Sequence, residues 1–143
     1  MGGVILAVLE PLVDACLLRG RFDVALEAID EAFALGETLG DRHVGTELYR
    51  LKGEALLGSA DTNTTRAEDC FQQALALSRQ QQAKIVELRA AMSLARLWKR
   101  RRKRAAASRL LASVYHGFSE GFHTPDLRDA GALLDSLATS AHR

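Results

Sequence analysis

The sequence predicts an all-α fold, an α-solenoid of about three tandem helical hairpins closed by a C-terminal capping helix. Three observations carry that expectation. Ala, Leu, Arg, Glu and Gln dominate the 143 residues, only two are proline, and β-branched residues are scarce, which is the vocabulary of helices. No segment shows the strict apolar–polar alternation of a half-buried strand. One pattern also recurs: a small residue, a large apolar residue four positions on, and a further small or apolar residue three after that. It occurs as Ala25, Ile29, Ala32; as Ala67, Phe71, Ala74; and as Ala107, Leu111, Val114. The first members lie 42 and 40 residues apart, the kind of period that marks a repeat architecture.

The elements follow in order. A first helix runs from about Val4 to Leu18, with Pro11 either kinking it or standing in its first turn. Gly20 ends it, Arg21 to Leu39 forms a second helix, and Gly40 caps that helix, completing a hairpin over about 4–39. A third helix covers about Val44 to Leu57. The loop Gly58 to Thr65 supplies turn and cap residues, and a fourth helix reaches about Gln81, giving a hairpin over 44–81. The fifth helix spans Lys84 to about Arg100 and the sixth about Lys103 to Phe118, a hairpin over 84–118. Thr124, Pro125 and Asp126 then read as cap, first helical residue and dipole-complementing acid of a last helix to about Ala138.

Each triplet opens the second helix of a hairpin. On the preceding helix a small residue, Gly53 in the second copy and Ala95 in the third, lets the two helices approach closely. One hairpin cannot bury its own apolar face, so stacking must provide the core. Across 143 residues this makes one domain's worth of chain.

The repeat signature resembles the tetratricopeptide repeat, in a variant longer than the usual ~34-residue unit. The stretches "ELYRLKGEALL" (47–57), "AEDCFQQALALSRQQQAKIVELRAAMSLARLW" (67–98) and "VYHGFSEGFHTPDLRDAGALLDSL" (114–137) resemble the C-terminal tail of bacterial multidomain regulators. Those proteins carry a cyclase-like or winged-helix domain, then an NTPase domain, then tetratricopeptide repeats. The resemblance implies the repeat module alone, free-standing or cut from a longer chain, because no phosphate loop of the G-x-x-x-x-G-K-[ST] type is in this sequence. It implies a non-catalytic module of protein–protein interaction or scaffolding in signalling or transcriptional control.

Composition narrows the alternatives. With 19 basic and 18 acidic residues the net charge is +1, whereas a dedicated nucleic-acid-binding domain is usually more basic. The apolar run Val4 to Leu18 is interrupted by Glu10, Pro11 and Asp14, too short and too polar to span a membrane. No basic stretch precedes it and no cleavage-like segment follows, so a secretory signal is not expected. Cys16 and Cys70 sit among apolar neighbours without metal-type spacing, as structural thiols do in a reducing cytoplasm.

Two sets of residues remain as candidate binding elements. In a superhelix of such hairpins the first helix of each lines the concave face. The register brings there Glu10 and Asp14, then Glu47, Arg50 and Glu54, then Arg89, Met92, Arg96 and Lys99. Such a groove is acidic at one end and basic at the other. Its basic end predicts a protein or peptide partner with an acidic segment or a free carboxyl terminus, held by Arg89, Arg96 and Lys99. The second set is the run Lys99, Arg100, Arg101, Arg102, Lys103 and Arg104, which falls in the turn between two helices. A solvated turn is its plainest reading, and an anion-binding turn for nucleic acid or an anionic surface is the alternative. Arg102 stands where the first hairpin has Gly20, which costs about 1 kcal/mol if the left-handed geometry is kept.

The remaining chemistry is thin. His116 and His123 flank Glu120 but match no metal signature, and His43 and His142 read as surface residues. No serine has a recognisable triad context such as G-x-S-x-G. Neither cofactor, metal nor catalytic residue is expected. Val4, Ile5, Leu6, Val8 and Leu9 are apolar nearly all round, which predicts that this end packs on an upstream segment or on a second copy.

Overall fold

The structure is a computed structural model that describes residues 2–40, 44–59 and 64–140, with side chains placed for 8–40, 45–59 and 64–138. Seven helices make up the described chain: α1 (Gly2–Leu18), α2 (Phe22–Leu39), α3 (Val44–Gly58), α4 (Thr64–Gln80), α5 (Lys84–Arg100), α6 (Arg104–Tyr115) and α7 (Pro125–Ser140). No strand occurs among the described residues. The chain is all-α. Pro11 lies inside α1, which begins two residues before the expected start, and α6 stops at Tyr115, three residues short of Phe118.

Three of the turns share one backbone device. At Gly20, φ is +73°; the Gly20 N–H donates to the Leu17 carbonyl (3.2 Å) and the Arg21 N–H to the Cys16 carbonyl (2.8 Å). At Arg102, φ is +62°; its N–H donates to Lys99 (3.2 Å) and the Lys103 N–H to Trp98 (2.8 Å). Gln82 repeats the geometry, with φ of +55°, bonding Arg79 at 3.2 Å while Ala83 bonds Ser78 at 2.9 Å. This paired closure satisfies helix-end carbonyls and needs one left-handed residue. Arg102 therefore carries the geometry expected from its alignment with Gly20. At α7 the expected cap differs: the Thr124 hydroxyl donates backwards to the Gly121 carbonyl (2.6 Å).

All nine triplet residues are buried, and Ala25, Ile29, Ala67, Phe71, Ala74, Ala107 and Leu111 have no exposed surface. Facing helices fit closely in the second hairpin. A Cβ on Gly53 would stand 2.5 Å from the Phe71 ring, and Phe71 has no room to withdraw. Matching places hold Val13 with Ile29 in the first hairpin and Ala95 with Leu111 in the third, all buried. The pair with no side chain on one helix carries the largest on the other, as close packing requires.

The helices meet in a regular order. Each packs on its neighbours in the chain, and α1 also meets α3, α3 meets α5, and α5 meets α7. Among the described residues α2, α4 and α6 touch only their chain neighbours. The core divides accordingly. A smaller cluster gathers Leu9, Val13, Ile29, Leu48 and Leu51 among others; a larger one runs from Leu56 through Phe71, Leu88 and Leu94 to Leu111 and Leu137. Leu26 packs against both.

Candidate functional site

The odd-numbered helices bring most of the predicted groove residues together, but not as free charges. Glu47 on α3 is the centre of the array, with its side chain 5% exposed. Arg50 grips it with both Nε (3.1 Å) and Nη2 (3.0 Å). Arg89, which occupies the same register place one repeat later on α5, reaches Glu47 at 3.7 Å. It also forks onto Asp126 of α7, at 3.2 and 3.1 Å. From α1, Glu10 shares a hydrogen bond with Glu47. A polar spine thus crosses α1, α3, α5 and α7.

The spine sets its own protonation. Burial, the Glu47 hydrogen bond and the Glu47 charge together push the Glu10 carboxyl above its ordinary range, against the weaker pull of Arg50 and Arg89. Burial pushes Glu47 upward too. Its hydrogen bonds to Arg50 and Glu10 and the Arg50 and Arg89 charges outweigh that and hold it below the usual carboxylate range. Glu10 is therefore the member of the pair that takes up a proton first as pH falls.

The other predicted groove residues diverge. Met92 is 5% exposed and packs in the larger core cluster, so it offers the groove no surface. Met92, in the middle of α5, stands at the edge of the stripe that contains Arg89, on the side of the helix that is enclosed. Glu54 is half-buried and Asp14 exposed. Arg96 is exposed, and the Lys99 ammonium donates to the Ser136 hydroxyl of α7 at 3.0 Å.

The basic run does not stay together. Arg101 turns toward α4 and lies 3.8 Å from Glu68, the carboxylate that also accepts the Trp98 indole N–H. Trp98 is half-buried and packs against the larger core cluster, as its helical spacing predicts. Arg102 and Lys103 are exposed at the turn itself. Lys99, Arg100 and Arg104 face the other way and join Arg96 around an open pocket of about 650 Å³, whose remaining lining residue is Leu133 of α7. Arg104 Nη1 is sealed from solvent and has no hydrogen-bond partner.

So the two candidate sets overlap in one place. Arg96 and Lys99 come from the groove set, Lys99, Arg100 and Arg104 from the turn set. Sequence reasoning missed the contributions of α7: Asp126, which neutralises Arg89, and Ser136 and Leu133, which complete the pocket wall. The only sequence signal for Asp126 was an acid at a helix start.

A second surface lies at the other end. Val8 is 69% and Leu12 49% exposed, and with Leu9, Ala28, Glu31, Ala32 and Leu35 they line a cleft of about 340 Å³ between α1 and α2. Val8 occupies in α1 the register place that Leu48 and Ala90, both fully buried, occupy in α3 and α5. The side chains of Val4, Ile5 and Leu6 lie outside the described residues, as do His43 and His142.

His116, His123 and Glu120 are all exposed, and no group of three metal-type donors is assembled among the described residues. Cys16 is buried and Cys70 half-buried; burial pushes the Cys70 thiol up, away from reactive thiolate character. No helix among the described residues is long and apolar enough to cross a membrane. No protein-family model matches the chain, and no curated protein matches it.

Proposed function

We propose that the chain is a non-catalytic protein–protein interaction module, an α-solenoid of tetratricopeptide type that binds a peptide or neighbouring domain in the groove of its odd-numbered helices. The observation that carries this reading is the contact order. Odd helices meet one another in sequence while even helices meet only their chain neighbours, the connectivity of a one-dimensional stack. The equivalent burial of all nine triplet residues supports it. A cytoplasmic role as part of a bacterial regulator is the setting that the resemblance of 47–57, 67–98 and 114–137 implies.

In this reading the N-terminal edge receives one further helix, seated on α1 as α2 sits on α3. The groove's binding end is the cationic pocket, because the spine residues neutralise one another and Arg96, Lys99, Arg100 and Arg104 do not.

A random-peptide selection against the immobilised protein tests the proposal. Acidic peptides should be enriched, and Arg96→Glu with Lys99→Glu should abolish their binding while leaving the melting temperature within a few degrees. Equal enrichment by the doubly reversed protein would overturn it.

A further inference from the structure

We infer that the pocket between α5, α6 and α7 is a site for a phosphate monoester carried on a peptide, held by Arg96, Lys99, Arg100 and Arg104 together. The inference rests on the peptide-binding reading above and names the chemistry that its cationic end selects.

Charge is the first argument. Three guanidinium groups and one ammonium group line the pocket, and no carboxylate does. Several of the described cations elsewhere find acids: Arg50 on Glu47, Lys52 on Asp30, Arg79 on Glu87, Arg89 on Asp126, Arg101 on Glu68. Arg96, Lys99, Arg100 and Arg104 form no ion pair among the described residues, and four like charges brought together repel one another. A dense anion relieves that repulsion more than any single charge does.

The second argument is Arg104 itself. It is the first residue of α6 and half-buried, and its Nη1 is both desolvated and unpaired. A buried donor left without an acceptor costs about 1–3 kcal/mol, and more when it is charged. Nη1 itself is out of a ligand's reach, but an anion in the pocket that Arg104 lines offsets part of the cost of the guanidinium's charge.

Stoichiometry selects among anions. A phosphate monoester carries about −1.5 to −2 charges at neutral pH and three strong acceptor oxygens, and it pairs with guanidinium forks. A side-chain carboxylate brings one charge and two oxygens, which leaves most of these donors unmatched. A nucleic-acid backbone needs cations along a continuous track, and the run is broken where Arg101 turns to Glu68. Leu133 provides the apolar contact for the residues that flank the phosphorylated one, and about 650 Å³ accommodates both.

The test is a titration of the full chain, labelled with nitrogen-15, following the arginine Nε–H signals by NMR at pH 7.5 and constant ionic strength. Three probes are compared: N-acetyl-O-phosphoserine methylamide, dimethyl phosphate and N-acetylglutamate methylamide. The phosphoserine probe should shift Arg96, Arg100 and Arg104 together and saturate, while Arg101 and Arg102 stay in place. Arg104→Gln should weaken binding about tenfold or more, the effect of one charge-assisted hydrogen bond. Arg100→Gln, at an exposed position that the fold tolerates, should weaken it several-fold. Binding should also weaken as pH falls through about 6, where a monoester takes up its second proton. Equal affinity for dimethyl phosphate would assign the pocket to a phosphodiester backbone and overturn the inference. Equal affinity for the glutamate probe would make it a plain acidic-peptide site, which overturns the phosphate assignment and leaves the peptide-selection result standing. Uniform, unsaturated shifts of all arginines would remove the site altogether.

Discussion

Arg89 and Arg96 sit seven residues apart on the same stripe of α5, yet they live in opposite electrostatic worlds. Arg89 is clasped by Asp126 in two hydrogen bonds and reaches Glu47. Arg96 is exposed beside three other cations, with no acid among the pocket's lining. The helix decides which way both point. Neighbouring helices decide whether the charge is available, and here α7 supplies an acid at one end of the stripe and only Ser136 and Leu133 at the other.

The comparison can be broken at its neutral half. Glu47→Ala removes the counter-charge from Arg50 and Arg89 and leaves a largely enclosed guanidinium without a partner. Loss of one member of a buried pair costs about 3–5 kcal/mol, to be read from urea denaturation midpoints at unchanged m-value. The turn that feeds the cationic half gives the next largest effect. Arg102→Gly releases a side chain from the left-handed region and should stabilise by about 1 kcal/mol, whereas Gly20→Ala, at the matching turn, should cost a similar amount.

A third change moves the boundary between the halves. Asp126→Asn loosens a partly solvated pair and should cost no more than about 1 kcal/mol, but it leaves Arg89 with only the longer contact to Glu47. The phosphoserine titration should then show one more responsive arginine. The smallest effect is in the pH profile. Glu10 has a folded-state pKa above its ordinary value of 4.5, so its contribution is complete below that pH and is lost as pH rises through the folded value. Glu47, held low, contributes above 4.5 and loses its contribution as pH falls through its folded value. Glu10→Gln keeps the donor toward Glu47 and removes the first of these. Thermal melts from pH 4 to 8 should therefore lose their decline on the alkaline side and keep their acid limb.

Much of this was legible in the sequence because it is local. Helix ends marked by Gly20, Gly40 and the Gly20-like place of Arg102 depend on a few consecutive residues. The burial of Ile29, Phe71 and Leu111 follows from a spacing that repeats. The stripe carrying Arg89 and Arg96 could be drawn from helical geometry alone. What the stripe could not reveal was its edge, and Met92 fell on the enclosed side of it. The Arg89–Asp126 pair joins residues 37 positions apart, across the long connection between α6 and α7. No internal repeat could calibrate it. The sealed Nη1 of Arg104 depends on tertiary packing around the start of α6.

The order in which the helices meet also bears on how such a chain changes over generations. Among the described residues no helix meets another beyond its second neighbour in the chain. A duplicated or deleted hairpin therefore creates or removes only two junctions, and every other packed surface keeps its partner. Length can drift in units of two helices while the specialised end built around α7 is inherited intact.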